Sequence, residues 1–306
     1  MSASSLDDVH AATRSVTRLS VAVAVILIAL KAFALGASGS VSILASLADS
    51  SLDLIASLAT FFAVRWAAAP PDEDHRFGHG KGEAMAALVQ AGLVFASSVF
   101  IGWEAIQRLF DPRPVTSGYW GVGIILISMG LTGWLIWRQS RAIRSSGSVA
   151  VAADRAHYAS DLAANAVVLI GVGSGAFLSA PGLDAAAGLV VSVWLFWGAT
   201  GVLREAADQL LDRATPDSDR ATITTTILSD PRITGVHRLR TRQTGPVTVI
   251  QMHVDMAPTL TLAEAHDILD EAEARLLALW PYADIMIHPD PRGAPTVEPP
   301  KKGPWT

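Results

Sequence analysis

Six long apolar stretches, separated by short polar connections, fill the chain between residues 19 and 203. A helix needs roughly 20 apolar residues to cross the hydrocarbon core of a bilayer, and each stretch has about this length or more. The chain has only 17% charged residues, against about 25% in soluble domains. The sequence therefore predicts a polytopic α-helical membrane protein with six transmembrane helices. The predicted spans are 19–36, 43–66, 85–110, 119–137, 149–178 and 184–203.

Basic residues near the span ends are strongly biased to one side of the predicted membrane. Cytoplasmic loops of membrane proteins carry the excess of Lys and Arg, so the basic side is predicted to face the cytoplasm. Six spans then place both termini and the C-terminal part of the chain in the cytoplasm. The basic side carries Arg14, Arg18, Arg65, Arg76, Lys81, Arg138, Arg141, Arg144 and Arg155, and the other side Arg108 and Arg113.

The composition limits the chemistry of any binding site. The chain has no cysteine, which excludes disulfide bonds and thiolate ligands, so a metal would be held by His nitrogen and carboxylate oxygen. A net charge of −5 argues against nucleic acid as a partner. Residues 1–18 lack a basic n-region and a cleavage site, so we expect a polar cytoplasmic tail and no signal peptide.

Two of the predicted spans carry pairs of ionisable residues at helical spacing. Asp49 and Asp53 lie in the second span, and His157 and Asp161 lie in the fifth. A spacing of four residues puts both members of a pair on one helix face. Two facing helices would then present four nitrogen and oxygen ligands, which suits a tetrahedral zinc-like ion.

The alternative is a buried cluster of hydrogen-bonded polar residues that joins the helices. Three carboxylates in hydrocarbon would repel each other unless a cation or protons neutralised them, which favours a metal or proton site. Other polar residues in the spans fit structural roles. Lys31 and Glu104 lie near the outer ends of spans, where Lys can snorkel to the interface, and pairing of Lys31 with an acid is an alternative. Asp154 lies near the interface at the start of the fifth span, and Asn165 is expected to hydrogen-bond between helices.

The loop between the second and third spans contains two histidines among several acids. Asp72, His75 and His79 could hold a labile surface metal, with water completing the coordination. Asp74 is an alternative to Asp72 as the acidic ligand, and a solvated polar loop with chance histidines is an alternative to any site. Lys81 begins the third span, where it can anchor the helix on the basic side.

The region 209–290 is predicted to form a small α+β domain. Thr261 and Glu264 form a capping box that starts an amphipathic helix. The order α-β-β-α-β is typical of an open sheet with helices on one face, as in metallochaperone or ferredoxin-like domains. The predicted elements are a helix at 217–229, strands at 233–242 and 247–256, a helix from Thr261 and a strand at 283–288. The Pro-rich segment 291–306 is predicted to be disordered.

Four of the eight histidines of the chain lie in this domain. His237, His253 and His288 fall on predicted strands, His266 falls on the second helix, and Asp290 lies close to the last strand. A sheet can bring together strand residues that are distant in sequence, so a metal site is one interpretation. Scattered surface histidines are the other.

These patterns together resemble the cation diffusion facilitators, specifically the bacterial ferrous-iron and zinc efflux antiporters. The resemblance covers residues from about 14 to 290 and rests on specific motifs. The motifs are Ser40-Val-Ser-Ile-Leu-Ala-Ser-Leu-Ala-Asp49 with Asp53, His75-Arg-Phe-Gly-His-Gly-Lys81, His157-Tyr-Ala-Ser-Asp161, Leu210-Leu-Asp-Arg213, Leu239-Arg-Thr-Arg-Gln243 and His288-Pro-Asp290.

The resemblance also implies functional residues. The transport site would consist of Asp49, Asp53, His157 and Asp161, and the loop site of Asp72, His75 and His79. A two-metal cytoplasmic site at a homodimer interface would use His237, His253, His266, His288 and Asp290. Lys81 would pair with Asp212 and lock the membrane domains to the cytoplasmic domains. Pro289 departs from the family pattern and is expected to stiffen that end of the cytoplasmic site.

As a family member, the chain would be a secondary transporter in the bacterial inner membrane and not an enzyme. Its transport domain would span 19–208, and its metal-sensing dimerisation domain 209–290. It would export Zn²⁺, with Cd²⁺, Fe²⁺ or Co²⁺ as further substrates, in exchange for protons by alternating access, and zinc would also be a regulatory ligand. The alternatives are a manganese- or iron-selective exporter, a metal channel, or an intramembrane metallohydrolase, although the sequence has no H-E-x-x-H motif.

Overall fold

The computed structural model describes residues 6–38, 41–111, 119–173 and 183–293. The chain forms two compact units, Met1–Leu211 and Asp212–Thr306. In the described ranges the first unit consists of six long helices, and the second of two helices and three strands. Residues 112–118 of the third predicted connection, the end of the predicted fifth span at 174–178, residues 179–182 of the connection after it, and residues 294–306 of the predicted disordered segment lie outside these ranges.

The first unit is the predicted six-helix membrane domain. Its helices are α1 (Leu6–Ser38), α2 (Val41–Ala67), α3 (Lys81–Phe110), α4 (Tyr119–Ser146), α5 (Val149–Gly173) and α6 (Leu183–Leu210). Within the described ranges, all except α5 are long and apolar enough to cross a membrane. α5 carries Asp154, His157 and Asp161 within its length. The fold prediction is confirmed, although α1 begins at Leu6 and not at residue 19.

Small residues allow α3, α5 and α6 to pack closely. Ala87 of α3, Ala153 of α5 and Ala206 of α6 are all fully buried in one cluster. A Cβ atom placed on Gly188 of α6 would lie 3.1 Å from the Cβ of Ala105 on α3. Small side chains let helix backbones approach each other in membranes, and here they bring α5, with its His-Asp pair, against α3 and α6.

The second unit has the predicted α-β-β-α-β order. It consists of α7 (Asp217–Leu228), β1 (Ile233–Thr244), β2 (Val247–Met256), α8 (Leu262–Leu277) and β3 (Asp284–Pro291). The sheet order is β1-β2-β3, with β1 antiparallel and β3 parallel to β2. The predicted capping box starts α8, because Thr261 Oγ1 accepts from the backbone N–H of Glu264 at 3.3 Å, while the Glu264 carboxylate accepts from the backbone N–H of Thr261 at 2.8 Å.

Alternation along β2 separates the core of this unit from a polar face. Ile250, Met252, Val254 and Met256 are buried and pack with apolar residues of α7 and α8. Successive side chains of a strand point to opposite faces of the sheet, so His253 lies on the face away from this core. The helices therefore cover one face of the sheet and leave the other face for the strand histidines.

A buried carboxylate joins the end of α7, the start of β1 and α8. Asp230 accepts hydrogen bonds from Arg232 Nη2 at 2.7 Å and Nε at 2.9 Å, and from Arg275 Nη2 at 3.2 Å. The Arg232 guanidinium holds the pKa of Asp230 well below its usual range, and the backbone N–H of Arg232 and the charge of Arg275 act in the same direction. The carboxylate of the folded unit therefore stays charged in acid.

The low pKa of Asp230 predicts how the stability of the second unit changes with pH in acid. Because its pKa is lower in the folded than in the unfolded state, its contribution to stability is complete above about pH 4 and is lost as the pH falls through the folded-state pKa. In Asp230→Asn, the free energy of unfolding of the fragment 212–293 should fall less steeply below about pH 4. Urea unfolding at a series of pH values measures this slope.

The matched control is Asp267→Asn, an exposed position on α8 with no ion pair among the described residues. This variant should keep the acid dependence of the wild-type fragment. An Asp230→Asn fragment with the wild-type slope would contradict the role given to Asp230.

Candidate metal sites

Three groups of His and acidic residues in the described part of the chain could hold a metal ion. In each group, one ligand atom from each residue lies within 4.8 Å of the others. All of these residues are among the ligands that the sequence predicts. The membrane group is Asp53, His157 and Asp161, the loop group is Asp72, His75 and His79, and the sheet group is His237, His253 and Asp290.

The membrane group joins α2 to α5. His157 Nε2 lies 3.1 Å from Asp53 Oδ1 and 3.7 Å from Asp161 Oδ2. Asp53 is only 5% exposed, and the buried Oδ2 atom of Asp161 has no hydrogen-bond partner in the described residues. A buried carboxylate oxygen without a partner is costly. A cation or a proton at this position would remove that cost.

Asp49, the fourth predicted ligand, lies one turn before Asp53 on α2 and is exposed. One helical turn corresponds to about 5.4 Å along the axis, which leaves Asp49 outside the 4.8 Å group. It lines a cavity of about 420 Å³ together with Asp53 and Asp161. The structure therefore brings three predicted ligands together and leaves the fourth at the wall of the adjoining cavity.

Lys31 also lines this cavity, which the sequence did not predict. Its Nζ atom donates to Ser50 Oγ at 2.6 Å and to Ser46 O at 3.1 Å, and the residue is 8% exposed. The interpretation of Lys31 as a snorkelling side chain was therefore wrong. Lys31 and Asp49 lie at similar distances along the sequence from the α1–α2 connection. This common depth in the bundle could have indicated from the sequence that Lys31 lies close to the acids of α2. A cation at this position reduces the repulsion among the carboxylates.

A buried tyrosine closes the bundle beside the membrane group. Tyr158 is 1% exposed, and its hydroxyl lies 2.8 Å from Ser57 Oγ and 3.2 Å from Ser20 O. Ser57 is one turn beyond Asp53 on α2, toward the loop that connects α2 to α3. The tyrosine therefore fills the space between α1, α2 and α5 on that side of the group.

Asp154 extends this polar layer across the bundle. Its carboxylate accepts from Gln90 Nε2 of α3 at 3.1 Å and from Gln139 Nε2 of α4 at 2.8 Å, and Thr60 of α2 donates to Gln90 Oε1 at 2.5 Å. Asp154 is 1% exposed, so it lies inside the bundle, which the sequence did not predict. The helical pattern gave no sign of this because both amide partners come from other helices.

The loop group is organised by Asp72. Its Oδ1 atom accepts from the backbone N–H of His75 at 2.6 Å and lies 3.2 Å from His75 Nδ1, while its Oδ2 atom lies 3.1 Å from His79 Nε2. The backbone N–H of His75 holds the pKa of Asp72 below its usual value. Trp66 packs on His79 with the ring centroids 5.3 Å apart. His79 Nδ1 is buried and has no hydrogen-bond partner in the described residues.

The loop geometry predicts a difference between two neighbouring acids. Asp72 contacts both histidines, whereas Asp74 is outside the group. Asp72→Ala should lower the zinc affinity of the loop by at least about tenfold, the scale on which metal sites respond to losing even an outer-shell partner. Titration calorimetry with zinc on the purified protein measures the change.

Asp74→Ala is the matched control, since it removes an equally exposed carboxylate from the same loop. Its zinc affinity should remain close to that of the wild type. Equal losses in the two variants would show that the loop attracts zinc only through its net charge.

The sheet group is built on one row across three strands. His237 of β1 pairs with His253 of β2, which pairs with His288 of β3. Asp290 lies on the same face, with its Oδ2 atom 3.1 Å from His237 Nε2 and 2.9 Å from His253 Nδ1, and its Oδ1 atom 3.3 Å from His288 Nε2. Partial burial acts to raise the pKa of Asp290, but the hydrogen bond with His253 and the nearby imidazoles hold it below its usual value.

Within one chain, His266 is apart from this row. It lies on α8, is exposed, and is 3.6 Å from Asp270 of the same helix. α8 packs on the core face of the sheet, and the row lies on the other face. Pro289 pairs with Val254, a core residue, so alternation keeps Pro289 off the histidine face. β3 is an edge strand, where Pro is tolerated.

Lys81 and Asp212, the predicted interdomain pair, each have other contacts. Lys81 Nζ donates to Leu210 O at 3.3 Å. Asp212 has a positive φ of 57° and accepts from Arg242 Nη1 at 3.2 Å. The pairing of Lys81 with Asp212 stays a prediction.

Comparison with known proteins identifies the family. The profile of the cation efflux transmembrane domain matches residues 17–211, and the profile of the cation efflux protein cytoplasmic domain matches residues 215–292. The chain belongs to the cation efflux family, the cation diffusion facilitators. It is a cation efflux transporter, which confirms the resemblance seen in the sequence.

Similar proteins include cation-efflux pumps named FieF. The pump of Cronobacter sakazakii is 39% identical over 288 residues, which are 92% of this chain and 95% of the relative. The pump of Salmonella choleraesuis is 39% identical over 284 residues, which are 91% of this chain and 93% of the relative. A solved structure of the zinc form of the transporter CzrB is 28% identical, covers 27% of this chain and 96% of its own, and has a TM-score of 0.26.

Proposed function

We propose that the protein exports divalent transition-metal ions, zinc first among them, from the cytoplasm in exchange for protons. The observation that carries the proposal is the buried group of Asp53, His157 and Asp161, in which Asp161 Oδ2 has no hydrogen-bond partner among the described residues. One imidazole with carboxylates suits zinc, and Asp49 on the cavity wall would supply the fourth ligand. Fe²⁺, Co²⁺ and Cd²⁺ accept the same ligand types.

Proton exchange follows from the chemistry of these ligands. Imidazole and carboxylate bind a metal only when they are deprotonated, so protons and metal compete for the same atoms. Facing the cytoplasm, Asp53, His157 and Asp161 would lose protons and take up the metal. Facing the opposite side, the same groups would be protonated and release it. One site can therefore couple the two fluxes.

The described conformation supports alternating access. The cavity lies on the side of Lys31 and Asp49, whereas Tyr158 and Asp154 fill the bundle on the side of the α2–α3 loop. The excess of basic residues predicts that this loop is cytoplasmic, so we assign an outward-facing state. Opening to the cytoplasm would require α3 to separate from α5, which breaks the hydrogen bond between Gln90 and Asp154.

The ligand set favours a transporter over a channel in which the metal diffuses freely. Strong binding by several charged ligands slows conduction, because an ion must leave each site before the next can enter. An exporter selective for manganese or iron is a second candidate. The softer imidazole nitrogen of His157 favours zinc over manganese, and competition by each ion for zinc uptake ranks the substrates.

The sheet group would act as a metal sensor in a homodimer. His237, His253, His288 and Asp290 converge on one face of the sheet, and the exposed position of His266 on α8 allows it to serve a neighbouring subunit. The partner subunit's His266 would then complete the predicted two-metal site. Metal that bridges two subunits would draw their C-terminal domains together, and Lys81 with Asp212 would pass this change to the membrane domain.

The transport site predicts the behaviour of Asp53→Ala in inverted membrane vesicles. With an inward-directed zinc gradient and an acidic lumen, wild-type vesicles should take up zinc and release protons. Removing Asp53 takes away a carboxylate that contacts His157, and zinc uptake should fall by at least about tenfold. A zinc-sensitive dye and a pH-sensitive dye in the lumen measure both fluxes.

Glu104→Gln is the matched control for this experiment. Glu104 also lies in a membrane helix, but it pairs with Arg108 at 3.0 Å near the end of α3 and does not line the cavity. This variant should transport zinc at the wild-type rate. Full proton-coupled uptake by Asp53→Ala would remove Asp53 from the transport site.

If the sheet group senses metal, the distance between the C-terminal domains of the two subunits should depend on zinc. In a homodimer labelled on both C-terminal domains, zinc should raise the energy transfer between the labels. His253→Ala removes the central member of the row and should abolish this response. His10→Ala is the control, because His10 of α1 lies outside all three groups. An unchanged response in His253→Ala would contradict the sensor.

A further inference from the structure

A groove with three arginines lies between the start of α1 and the end of α2. It has a volume of about 460 Å³. Arg14 and Arg18 are one turn apart on a single face of α1, and Arg65 lies in the last turn of α2. Small residues, among them Ala11 and Ala68, line the rest of the groove and leave the space between the guanidinium groups open.

These three guanidinium groups have no protein partner among the described residues. None of them makes an ion pair or a side-chain hydrogen bond there. At the same end of the bundle, Arg155 donates to Ser140 Oγ at 3.5 Å and Arg141 lies 4.9 Å from the ring centroid of Trp137. Arg138 and Arg144 of α4 also have no partner among the described residues, but they do not line the groove. Three unpaired positive charges around one groove repel each other, and an anion with several oxygen acceptors would relieve this repulsion and accept paired hydrogen bonds from them.

The position of the groove indicates the kind of anion. Arg18 directly precedes the apolar run of α1, and Arg65 directly follows that of α2. Below the arginines, exposed apolar side chains continue along both helices, including Val25, which is 49% exposed, and Phe62, which is 61% exposed. An occupant with a phosphate at the arginines would therefore find an apolar track beside it, as an acyl chain requires.

We propose that this groove binds the phosphate head group of an anionic phospholipid. The three arginines would hold the head group, and the apolar track along α1 and α2 would hold the chains. Basic residues at the membrane boundary attract anionic lipids in general, but the groove adds a defined position and partners from two helices. The bound lipid would then join α1 to α2, the helix that carries Asp49 and Asp53.

The test is native mass spectrometry of the full-length protein in detergent with equal amounts of phosphatidylglycerol and phosphatidylcholine. The wild type should retain phosphatidylglycerol preferentially. Arg14→Gln/Arg65→Gln removes one arginine from each helix and should lower this retention by about thirtyfold. Arg138→Gln/Arg144→Gln is the matched control, because it removes two exposed arginines of α4 at the same end of the bundle, and it should retain phosphatidylglycerol like the wild type.

Two results would overturn the proposal. Equal losses in the groove and control variants would mean that net charge, and not the groove, selects the lipid. Protection of the wild type against thermal unfolding by inorganic phosphate in phosphatidylcholine alone, as large as that by phosphatidylglycerol, would assign the groove to a soluble anion. The single variant Arg65→Gln, at an exposed position, gives a second test if the double variant unfolds, and it should lose about fivefold in retention.

Discussion

The high cost of a charged carboxylate in hydrocarbon governs the helical unit. An ionised acid at the centre of a membrane helix costs about 3 kcal/mol or more unless it is paired, and this bundle contains several. Asp154 is paired within the protein, because amide groups of Gln90 and Gln139 donate to its two oxygens. The Oδ2 atom of Asp161 accepts no hydrogen bond among the described residues, and its nearest basic group is His157 Nε2 at 3.7 Å. The hydrogen bonds of the fold satisfy the first acid, and in the proposed mechanism a cargo ion or a proton would neutralise the second.

This difference explains how one bundle can be both rigid and able to bind. The layer of Tyr158, Asp154 and their partners joins α1 to α5 on the side of the α2–α3 loop. The membrane group lies next to this layer and beside the cavity that Lys31 and Asp49 line. In alternating access, an exporter is closed on one side of its site and open on the other, and the two sides exchange roles in the second half of the cycle. The closed polar layer and the cavity match one half of such a cycle.

Much of this arrangement could be predicted from the sequence because it depends on periodicity. A spacing of four residues places His157 and Asp161 on one face of α5, and alternation along β2 separates His253 from the core. The register that aligns His237, His253 and His288 cannot be predicted from any one strand. The presence of a histidine on each predicted strand nevertheless indicated that the sheet could bring them together. The elements of the second unit likewise follow from the capping box at Thr261 and the pattern of β2.

What the sequence did not predict depends on contacts between helices. The environment of Lys31 is set by serines on α2, and that of Asp154 by glutamines on α3 and α4, so neither can be read from its own helix. The separation of Asp49 from the membrane group is a matter of one helical turn, which spacing alone does not resolve. His266 is exposed because α8 packs its apolar face on the sheet, and only a second subunit could bring it to a histidine row.

We propose that zinc and protons compete for Asp53, His157 and Asp161. The most direct measurement is proton release on zinc binding, determined by calorimetry in buffers of different ionisation enthalpy. The protein would carry Asp72→Ala and His253→Ala, so that the loop and sheet groups do not contribute. Zinc binding should release protons. As the pH is lowered, it should release more protons and become weaker. Zinc binding without proton release, and with the same affinity across the pH range, would contradict it.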